Sequence, residues 1–241
     1  MKITILTLFP EQFVGFIETS IINKAIKRNL VSIETVDIRS FSLDKHHRVD
    51  DKPYGGGAGL VMRAQPILDA LRSVKTSDSH TIYLSASGSV YKQAKAQQFS
   101  TYSHLILLCG HYEGIDERVL DEVDEEICIG DYVLTGGELA AMVISDSVIR
   151  LLDDVITKES LDEESFENNL LEYPHYTTPA IYEGKEVPLV LQSGHHKNIR
   201  KYRLKESLRK TLKVRPDLFA KKKLTKEETQ LLEEIQAEEV L

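Results

Sequence analysis

Over its first 150 or so residues the chain alternates short apolar, β-rich runs with segments of helical periodicity, and this alternation limits the fold more than any other feature. The run at residues 2–9 is apolar on both faces of a strand, whereas Phe13, Ile17 and Ile21 recur at helical spacing. Further strand signals lie at residues 31–38, 80–85, 103–109 and 125–130. Strands that are apolar on both sides and alternate with helices predict an α/β fold with a parallel sheet covered on both faces.

The pattern changes in the last third of the chain. An acidic, polar stretch is followed by a proline-containing region without strand alternation and then by a basic helical region. Thr225 and Glu228 have the spacing of a capping box, which predicts the start of a last helix. We therefore predict an α/β domain at residues 1–155, a linker at 156–169 and a small all-helical domain at 170–241.

The formal net charge of −8 over 241 residues hides two blocks of opposite sign. Residues 113–172 contain 19 acidic and 3 basic side chains, whereas residues 195–223 contain 12 Lys or Arg and only Glu206 and Asp217 as acids. A basic block in an acidic chain points to a polyanion that is bound by one region, although a solvated helix face is the alternative. The candidate phosphate contacts are Arg200, Lys201, Arg203, Lys205, Arg209, Lys210, Lys213 and Arg215.

Two cysteines and the absence of a long apolar segment limit the compartment and the cofactor class. Cys109 and Cys128 each end an apolar run, where a thiol is typical of a small buried hydrophobe. No Cys/His pair has zinc-ligand spacing, so no resident metal is expected. No window approaches the roughly 18 apolar residues of a membrane span, and the first residues do not form a signal peptide. The expectation is a protein of the reducing cytoplasm without a membrane partner.

Glycines cluster where the predicted strands end. They are Gly55, Gly56, Gly57 and Gly59 in a long polar loop, Gly110 and Gly114 after the fourth strand, and Gly130, Gly136 and Gly137 after the fifth. Ligands of open α/β sheets bind beyond the carboxyl ends of the strands, where glycine permits close approach of the backbone, although tight turns are the alternative for any single glycine. No dinucleotide-binding or P-loop motif is present. The pattern predicts a small-molecule pocket formed largely by backbone groups.

Four long motifs carry a specific resemblance. They are VDDKPYGGGAGL at 49–60, CGHYEGIDERV at 109–119, IGDYVLTGGELAAM at 129–142 and LLEYPHYTTPAIYEGKEVP at 170–188. In their order and spacing they resemble the bacterial TrmD-type tRNA (guanine-N1)-methyltransferases, and QSGHHKNIRKYR at 192–203 extends the match into the basic region. The resemblance covers nearly the whole chain.

This resemblance implies a fold, a cofactor and a partner. Members of the SPOUT superfamily have a deep trefoil knot in the α/β domain, an exception to the rule that chains do not thread loops, and the knot forms the S-adenosylmethionine pocket. The implied assembly is a homodimer with shared active sites, and the implied product is 1-methylguanosine at tRNA position 37, next to the anticodon. By position, the expected cofactor-binding residues are Tyr83, Leu84, Ser85, Gly110, Tyr112, Glu113, Ile129, Gly130, Asp131, Tyr132, Val133, Leu134, Gly136 and Gly137.

The implied reaction calls for two catalytic groups. Guanine N1 carries a proton, so its alkylation needs a general base near N1 and a donor near O6, where negative charge develops. The resemblance assigns the donor to Arg150 and the base to an Asp directly before Ser-Phe, but Glu164 occupies that position here. The linker is also one residue shorter than is usual in the family, which leaves Asp162 as the alternative base. Assistance from a divalent ion such as Mg²⁺ stays open.

Three further positions depart from the family pattern. Ala140 replaces the usual Pro after GGEL, Thr178 replaces an Arg, and Ala86-Ser87 replaces Pro-Gln. These departures keep two alternatives open. One is a non-catalytic RNA-binding relative, and the other is a SPOUT methyltransferase that acts on another RNA position.

Overall fold

The computed structural model describes residues 1–157 and 164–239. The chain divides into two compact units, Met1–Ile156 and Thr157–Leu241. Each unit is described below by itself. Among the described residues, no helix combines the length and the apolar character needed to cross a lipid bilayer.

Five parallel strands form the central sheet of the first unit. The strands of this unit are β1 Lys2–Thr7, β2 Ser32–Asp37, β3 Asp50–Asp51, β4 Val61–Met62, β5 Ser79–Val90, β6 His104–Cys109 and β7 Glu125–Cys128. The sheet has the order β2-β1-β6-β5-β7, and every neighbouring pair in it is parallel. The predicted mixed α/β class with a parallel central sheet is confirmed.

Alternate residues of the central strands face two separate hydrophobic cores. The helices of this unit are α1 Val14–Glu18, α2 Ser20–Lys27, α3 Ala64–Val74, α4 Gln93–Phe99 and α5 Glu138–Ile149. Ile3 and Ile5 of β1 pack in a core with residues of α2, α4 and α5, whereas Leu6 packs in a core with residues of α3. Because helices cover both faces of the sheet, its strands contain apolar residues on both sides.

Three further short elements belong to the first unit. The long polar loop with Gly55, Gly56, Gly57 and Gly59 connects the two strands of the antiparallel pair β3–β4. The 3-10 turn Pro10–Phe13 precedes α1, and the 3-10 helix Glu117–Glu122 precedes β7. The Asp116 side chain accepts a hydrogen bond from the Arg118 N–H and so caps the second of these.

Strand β5 is longer than its apolar core. It pairs with β6 up to Leu84, and its pairing with β7 shifts register between Leu84 and Ser89. A Cβ atom on Gly88 would lie 2.4 Å from the backbone N of Ile127, so only glycine fits in this crossing. The irregular part of β5 therefore follows the edge of the sheet closely, next to the carboxyl end of β7.

The second unit contains helices α6 Leu189–Gln192, α7 His196–Val214, α8 Pro216–Phe219 and α9 Lys226–Glu239. A small core joins Leu170 with Leu208, Leu231 and Ile235. The predicted capping box is confirmed, because the Thr225 N–H donates to Glu228 Oε2 at 2.7 Å and the Glu228 N–H donates to Thr225 Oγ1 at 3.2 Å.

The prediction that this region is all-helical is wrong at one place. Strands β8 Ile181–Tyr182 and β9 Lys185–Glu186 form an antiparallel hairpin. Glu183 and Gly184 connect them, and both have positive φ, at 49° and 76°. Two consecutive residues with positive φ match the right-handed twist of a tight hairpin, whereas the sequence contains a Gly only at the second of the two positions.

Candidate functional site

The carboxyl ends of β5, β6 and β7 open onto one pocket. Its cavity volume is about 370 Å³, and it is lined by residues of three segments, 83–87, 110–114 and 127–137, together with Ala140 of α5. The sequence predicts a pocket at this edge of the sheet because glycine clusters follow neighbouring strands. The three loops meet here because parallel strands end at the same side of a sheet.

Thirteen of the fourteen residues predicted to bind the cofactor line this pocket, and Asp131 does not. These thirteen are Tyr83, Leu84, Ser85, Gly110, Tyr112, Glu113, Ile129, Gly130, Tyr132, Val133, Leu134, Gly136 and Gly137. The pocket also contains residues that the motif comparison did not select. They are Ala86, Ser87, His111, Gly114, Ile127, Cys128, Thr135 and Ala140. All of them except Ala140 lie within two positions of a selected residue, and this proximity in sequence is the signal that indicates them.

Two loops of the pocket are joined by their backbones. The Gly137 N–H donates to the Gly110 carbonyl at 2.9 Å, and His111 and Gly136 form an antiparallel bridge. A Cβ atom on Gly137 would lie 2.8 Å from Cys109 Cα, so this approach requires glycine. The Gly136–Gly137 pair before α5 therefore allows this loop to pack closely against the end of β6 and the loop that follows it.

Tyr83 forms a wall of the pocket behind Gly110. Its side chain is 8% exposed, and burial raises the pKa of the hydroxyl to about 12. A Cβ atom on Gly110 would lie 2.9 Å from the Tyr83 Oη atom. The hydroxyl therefore stays neutral over the physiological pH range, and it lies so close behind Gly110 that a side chain at that position would have to displace it.

The Gly-rich loop before β4 reaches the same pocket through Glu113. The Glu113 N–H donates to the Leu60 carbonyl at 3.0 Å, and the Met62 N–H donates to the Gly114 carbonyl at 2.9 Å. Gly59 has a φ of 79°, and a Cβ atom built on it would lie 2.3 Å from the Glu113 carboxylate. The glycine at position 59 thus leaves room for an acidic side chain that lines the pocket.

A buried carboxylate at the start of α5 is in contact with the ends of two strands next to the pocket. Glu138, at the start of α5, is 2% exposed. The Thr7 hydroxyl at the end of β1 donates to Glu138 Oε1 at 2.7 Å, and His111 Nε2 lies 3.0 Å from Glu138 Oε2. The Phe9 ring packs against the His111 ring, with centroids 4.8 Å apart. Glu138 therefore fixes the 110–114 loop to both β1 and α5.

Tyr112 connects the pocket to β3. It has a φ of 60°, which is rare for a residue other than glycine. Its pKa is raised by burial and by the nearby Asp50 carboxylate, while Arg39 acts in the opposite direction. Asp50 lies within the motif at residues 49–60, but the resemblance implies no role for it. The sequence gives no indication of a role for Arg39.

The two predicted catalytic residues belong to different units. Arg150 follows the last residue of α5, where it is partly buried and its N–H donates to the Asp146 carbonyl at 3.1 Å. Glu164 belongs to the second unit and is also partly buried. The alternative base, Asp162, lies outside the described residues.

Glu164 directly precedes a tight turn that is tied to the core of the second unit. The Phe166 N–H donates to the Leu170 carbonyl at 2.7 Å, and the Glu172 N–H donates to Ser165 Oγ at 3.1 Å. Leu170 is buried in the small core, so the turn is attached to it. Hydrogen bonds therefore hold Ser165 and Phe166, the two residues that follow Glu164, in place.

Within residues 1–157 and 164–239, no group of three or more His, Cys, Asp or Glu side chains is arranged to hold a metal ion. Assistance from Mg²⁺ in the reaction stays open.

Parallel strand ends with a glycine-lined pocket define an α/β protein with a small-molecule-sized cavity at the edge of its sheet. The family model described as tRNA (Guanine-1)-methyltransferase TrmD matches residues 1–221. The chain belongs to this family.

Relatives of similar length support this assignment. A protein of Malacoplasma penetrans (strain HF-2) is 58% identical over 221 residues, which cover 92% of this chain and 98% of the relative. Proteins of Clostridium botulinum (strain Kyoto / Type A2) and Dictyoglomus turgidum (strain DSM 6724 / Z-1310) are 55% and 52% identical over 97% and 99% of this chain, and over 98% of their own lengths. All three are named tRNA (guanine-N(1)-)-methyltransferase.

The buried carboxylate gives a test of how the pocket is built. Replacing Glu138 by Ala leaves the Thr7 hydroxyl and the His111 ring without their buried partner, so we expect the free energy of unfolding to fall by about 1–3 kcal/mol. Urea denaturation at neutral pH measures this change. Glu18→Ala, the same truncation at an exposed position, is the control, and equal denaturation midpoints for the two variants would contradict the assigned role.

Proposed function

We propose that this chain transfers a methyl group from S-adenosylmethionine to N1 of guanosine at tRNA position 37. The observation that carries the proposal is that the family model matches residues 1–221, while the motif residues come together around one pocket. The names of the relatives supply the substrate class, and the pocket supplies a binding site for a small cofactor. The proposal includes a cytoplasmic location, where tRNA is available.

The pocket fits a cofactor that has an adenosine part and a charged amino-acid part. Its volume of about 370 Å³ lies within the range of roughly 300–1,000 Å³ that is usual for small-molecule sites. Ile129 and Leu134 supply apolar surface for a base, and the loops around Gly110 and Gly136 bring backbone groups close to the ligand. The Glu113 carboxylate would face the cationic part. When bound, the cofactor supplies an electrophilic methyl group on a positively charged sulfur.

Glu164 and Arg150 carry the proton and charge chemistry in this proposal. Glu164 accepts the proton of guanine N1, which turns a poor nucleophile into a competent one. The Arg150 guanidinium donates hydrogen bonds toward guanine O6, where negative charge accumulates as N1 loses its proton. Both assignments rest on the family resemblance at these positions.

Glu164 differs from the usual aspartate by one methylene group. The unperturbed pKa values of the two residue types are similar, at about 4.3 and 3.9, so either can act as the base. A displacement of the carboxylate by about 1 Å can cost on the order of a hundredfold in rate unless the backbone compensates. The turn that starts at Ser165 is attached to the core through Leu170, and it provides a fixed backbone from which the longer side chain can extend.

The departure at Ala140 falls within the pocket. Ala140 is 6% exposed and lines the cavity on the side of α5. A small side chain at this position keeps the wall apolar, so the proposed reaction type is unchanged. Thr178 is exposed, where it lacks the charge that an arginine would offer to a phosphate.

We propose that the segment from β5 to α5 forms the trefoil knot implied by the family. Three close approaches support this proposal. Gly88 lies against the backbone at Ile127, and Gly137 lies against both Cys109 and Gly110. Such approaches are expected where one segment passes tightly alongside or through another, and they require the absence of a Cβ atom.

We also propose that the chain is a homodimer with shared active sites. Helix α5 is apolar on nearly all sides, yet Leu139 and Val143, one turn apart, are 54% and 47% exposed. A helix that is apolar all round is normally covered on every side. A second copy of the chain is the proposed cover of this face.

A single assay tests the proposed reaction. Incubation of the purified chain with labelled S-adenosylmethionine and an unmodified tRNA transcript with G37 should give labelled 1-methylguanosine on nucleoside analysis. A transcript with A37 is the control. Binding of the tRNA without methyl transfer would favour a non-catalytic RNA-binding relative. Label in another nucleoside would favour a methyltransferase that acts on another RNA position.

The base assignment predicts a specific loss in the Glu164→Gln variant. The amide cannot accept the N1 proton, so we expect kcat to fall by about 10²–10⁴-fold, while the affinity for S-adenosylmethionine, measured by calorimetry, stays unchanged. Glu164→Asp, which restores the family residue, should retain turnover. Near-normal kcat in Glu164→Gln would move the role to another acid, of which Asp162 is the first to test.

The dimer proposal predicts that charge on α5 separates the subunits. Light scattering should give twice the chain mass of 27.3 kDa for the unaltered protein and the single mass for Leu139→Glu/Val143→Glu. Leu43, which is 84% exposed in the same unit, provides the control substitution Leu43→Glu. A single-chain mass for the unaltered protein would rule the dimer out.

A further inference from the structure

Two oppositely charged helices pack against each other in the second unit. Helix α7 contains eight Lys or Arg and one Glu, and α9 contains six Glu and one Lys. Leu208 of α7 and Leu231 and Ile235 of α9 share one core. The basic block that the sequence offers to a polyanion is therefore next to a concentrated set of carboxylates from the same chain.

The contact is an alternating ladder of ion pairs. Glu234 binds both Lys201 and Lys205, with N–O distances of 2.9 Å each. Glu238 binds Lys205 at 2.7 Å and also pairs with Arg209. The three cations are four residues apart, so they form one stripe along α7 with steps of about 6 Å.

These pairs are charged at neutral pH. The hydrogen bonds from Lys201 and Lys205 lower the pKa of Glu234 to about 2. The pKa of Glu238 is also lowered, with the hydrogen bond from Lys205 as the largest cause. Both carboxylates are therefore ionised at neutral pH, as the ion pairs require.

A carboxylate and a phosphate compete for the same donors. Both present anionic oxygens to Lys and Arg, and the resulting charge-assisted hydrogen bonds are similar in kind. RNA affinity from a cation comes largely from the release of counterions when a phosphate is neutralised. A cation that already holds a carboxylate contributes less, because the phosphate must first displace that partner.

We propose that α9 is an acidic cover, which withholds the Lys201–Lys205–Arg209 stripe from RNA phosphates and so suppresses binding of RNA in general. The inference deepens the proposed function and rests on it for the identity of the cognate RNA. Contacts to the cognate tRNA then come from cations outside the stripe. Lys197 and Lys213 are exposed and have no ion pair with any of the described residues.

Glu234 and its neighbour Glu233 provide a matched pair of substitutions. Glu234 bridges two cations of the stripe, whereas Glu233 is exposed and forms no ion pair within residues 164–239. Glu234→Gln and Glu233→Gln change the net charge equally. A difference between them therefore reports on the stripe and not on the total charge.

The readout is the salt dependence of binding to a single-stranded oligouridylate, followed by fluorescence anisotropy. Each cation that gains a phosphate steepens the slope of log K against log salt by about 0.7, so Glu234→Gln should steepen it by about 1–2 and tighten binding at low salt. Glu233→Gln should leave the slope unchanged. Adding Lys201→Gln and Lys205→Gln to Glu234→Gln should remove the gain, which a purely structural role of Glu234 does not predict.

Equal slopes and affinities for the Glu234→Gln and Glu233→Gln variants would overturn the proposal, as would weaker binding by Glu234→Gln in a protein with an unchanged unfolding midpoint. The methylation assay on the unaltered chain gives a separate answer. Absence of 1-methylguanosine there contradicts the proposed function, while the comparison of slopes still decides whether α9 covers a phosphate-binding surface.

Discussion

The approach of Gly137 to Gly110 is the constraint on which the pocket depends. One backbone hydrogen bond of 2.9 Å joins the loop after β6 to the loop before α5. A side chain on Gly137 would meet the Cα atom of Cys109, a fully buried residue at the end of the strand. Separation of these loops would open the cavity between them, since both contribute to its lining. The two loops can therefore approach each other only because Gly137 has no Cβ atom.

Buried hydrogen bonds next to the loops hold them in the arrangement that the glycines permit. A buried carboxylate is costly unless every oxygen finds a donor, and Glu138 meets that condition through Thr7 and His111. These residues come from the end of β1, the loop after β6 and the start of α5. The contact between His111 and Glu138 also orients the loop that carries Tyr112 and Glu113. The conformation of this loop therefore depends on the buried Glu138 side chain.

Sequence patterns predicted the parts of the molecule that depend on local rules. Apolar runs on both sides of a strand require a covered sheet, and glycine after successive strands indicates a pocket at their ends. The contact of Thr7 with Glu138 spans 131 positions and has no local signal. The ladder between α7 and α9 has no local signal either, because the carboxylates of Glu234 and Glu238 lie outside the basic block at residues 195–223. The turn of the β8–β9 hairpin needs a positive φ at Glu183, and glutamate is a residue type that gives no indication of this conformation.

A pocket that is proposed to hold an alkylating cofactor brings that cofactor close to the cysteines of the protein. Cys128 lines the cavity, but it is 5% exposed and its S–H group donates to the Gly130 carbonyl at 3.0 Å. Cys109 lies directly behind the glycine loops, and complete burial raises the pKa of its thiol well above the usual value. The thiolate is the nucleophilic form of cysteine. Burial therefore holds the Cys109 thiol in its protonated, weakly nucleophilic form, directly behind the pocket in which the proposed reaction transfers an electrophilic methyl group.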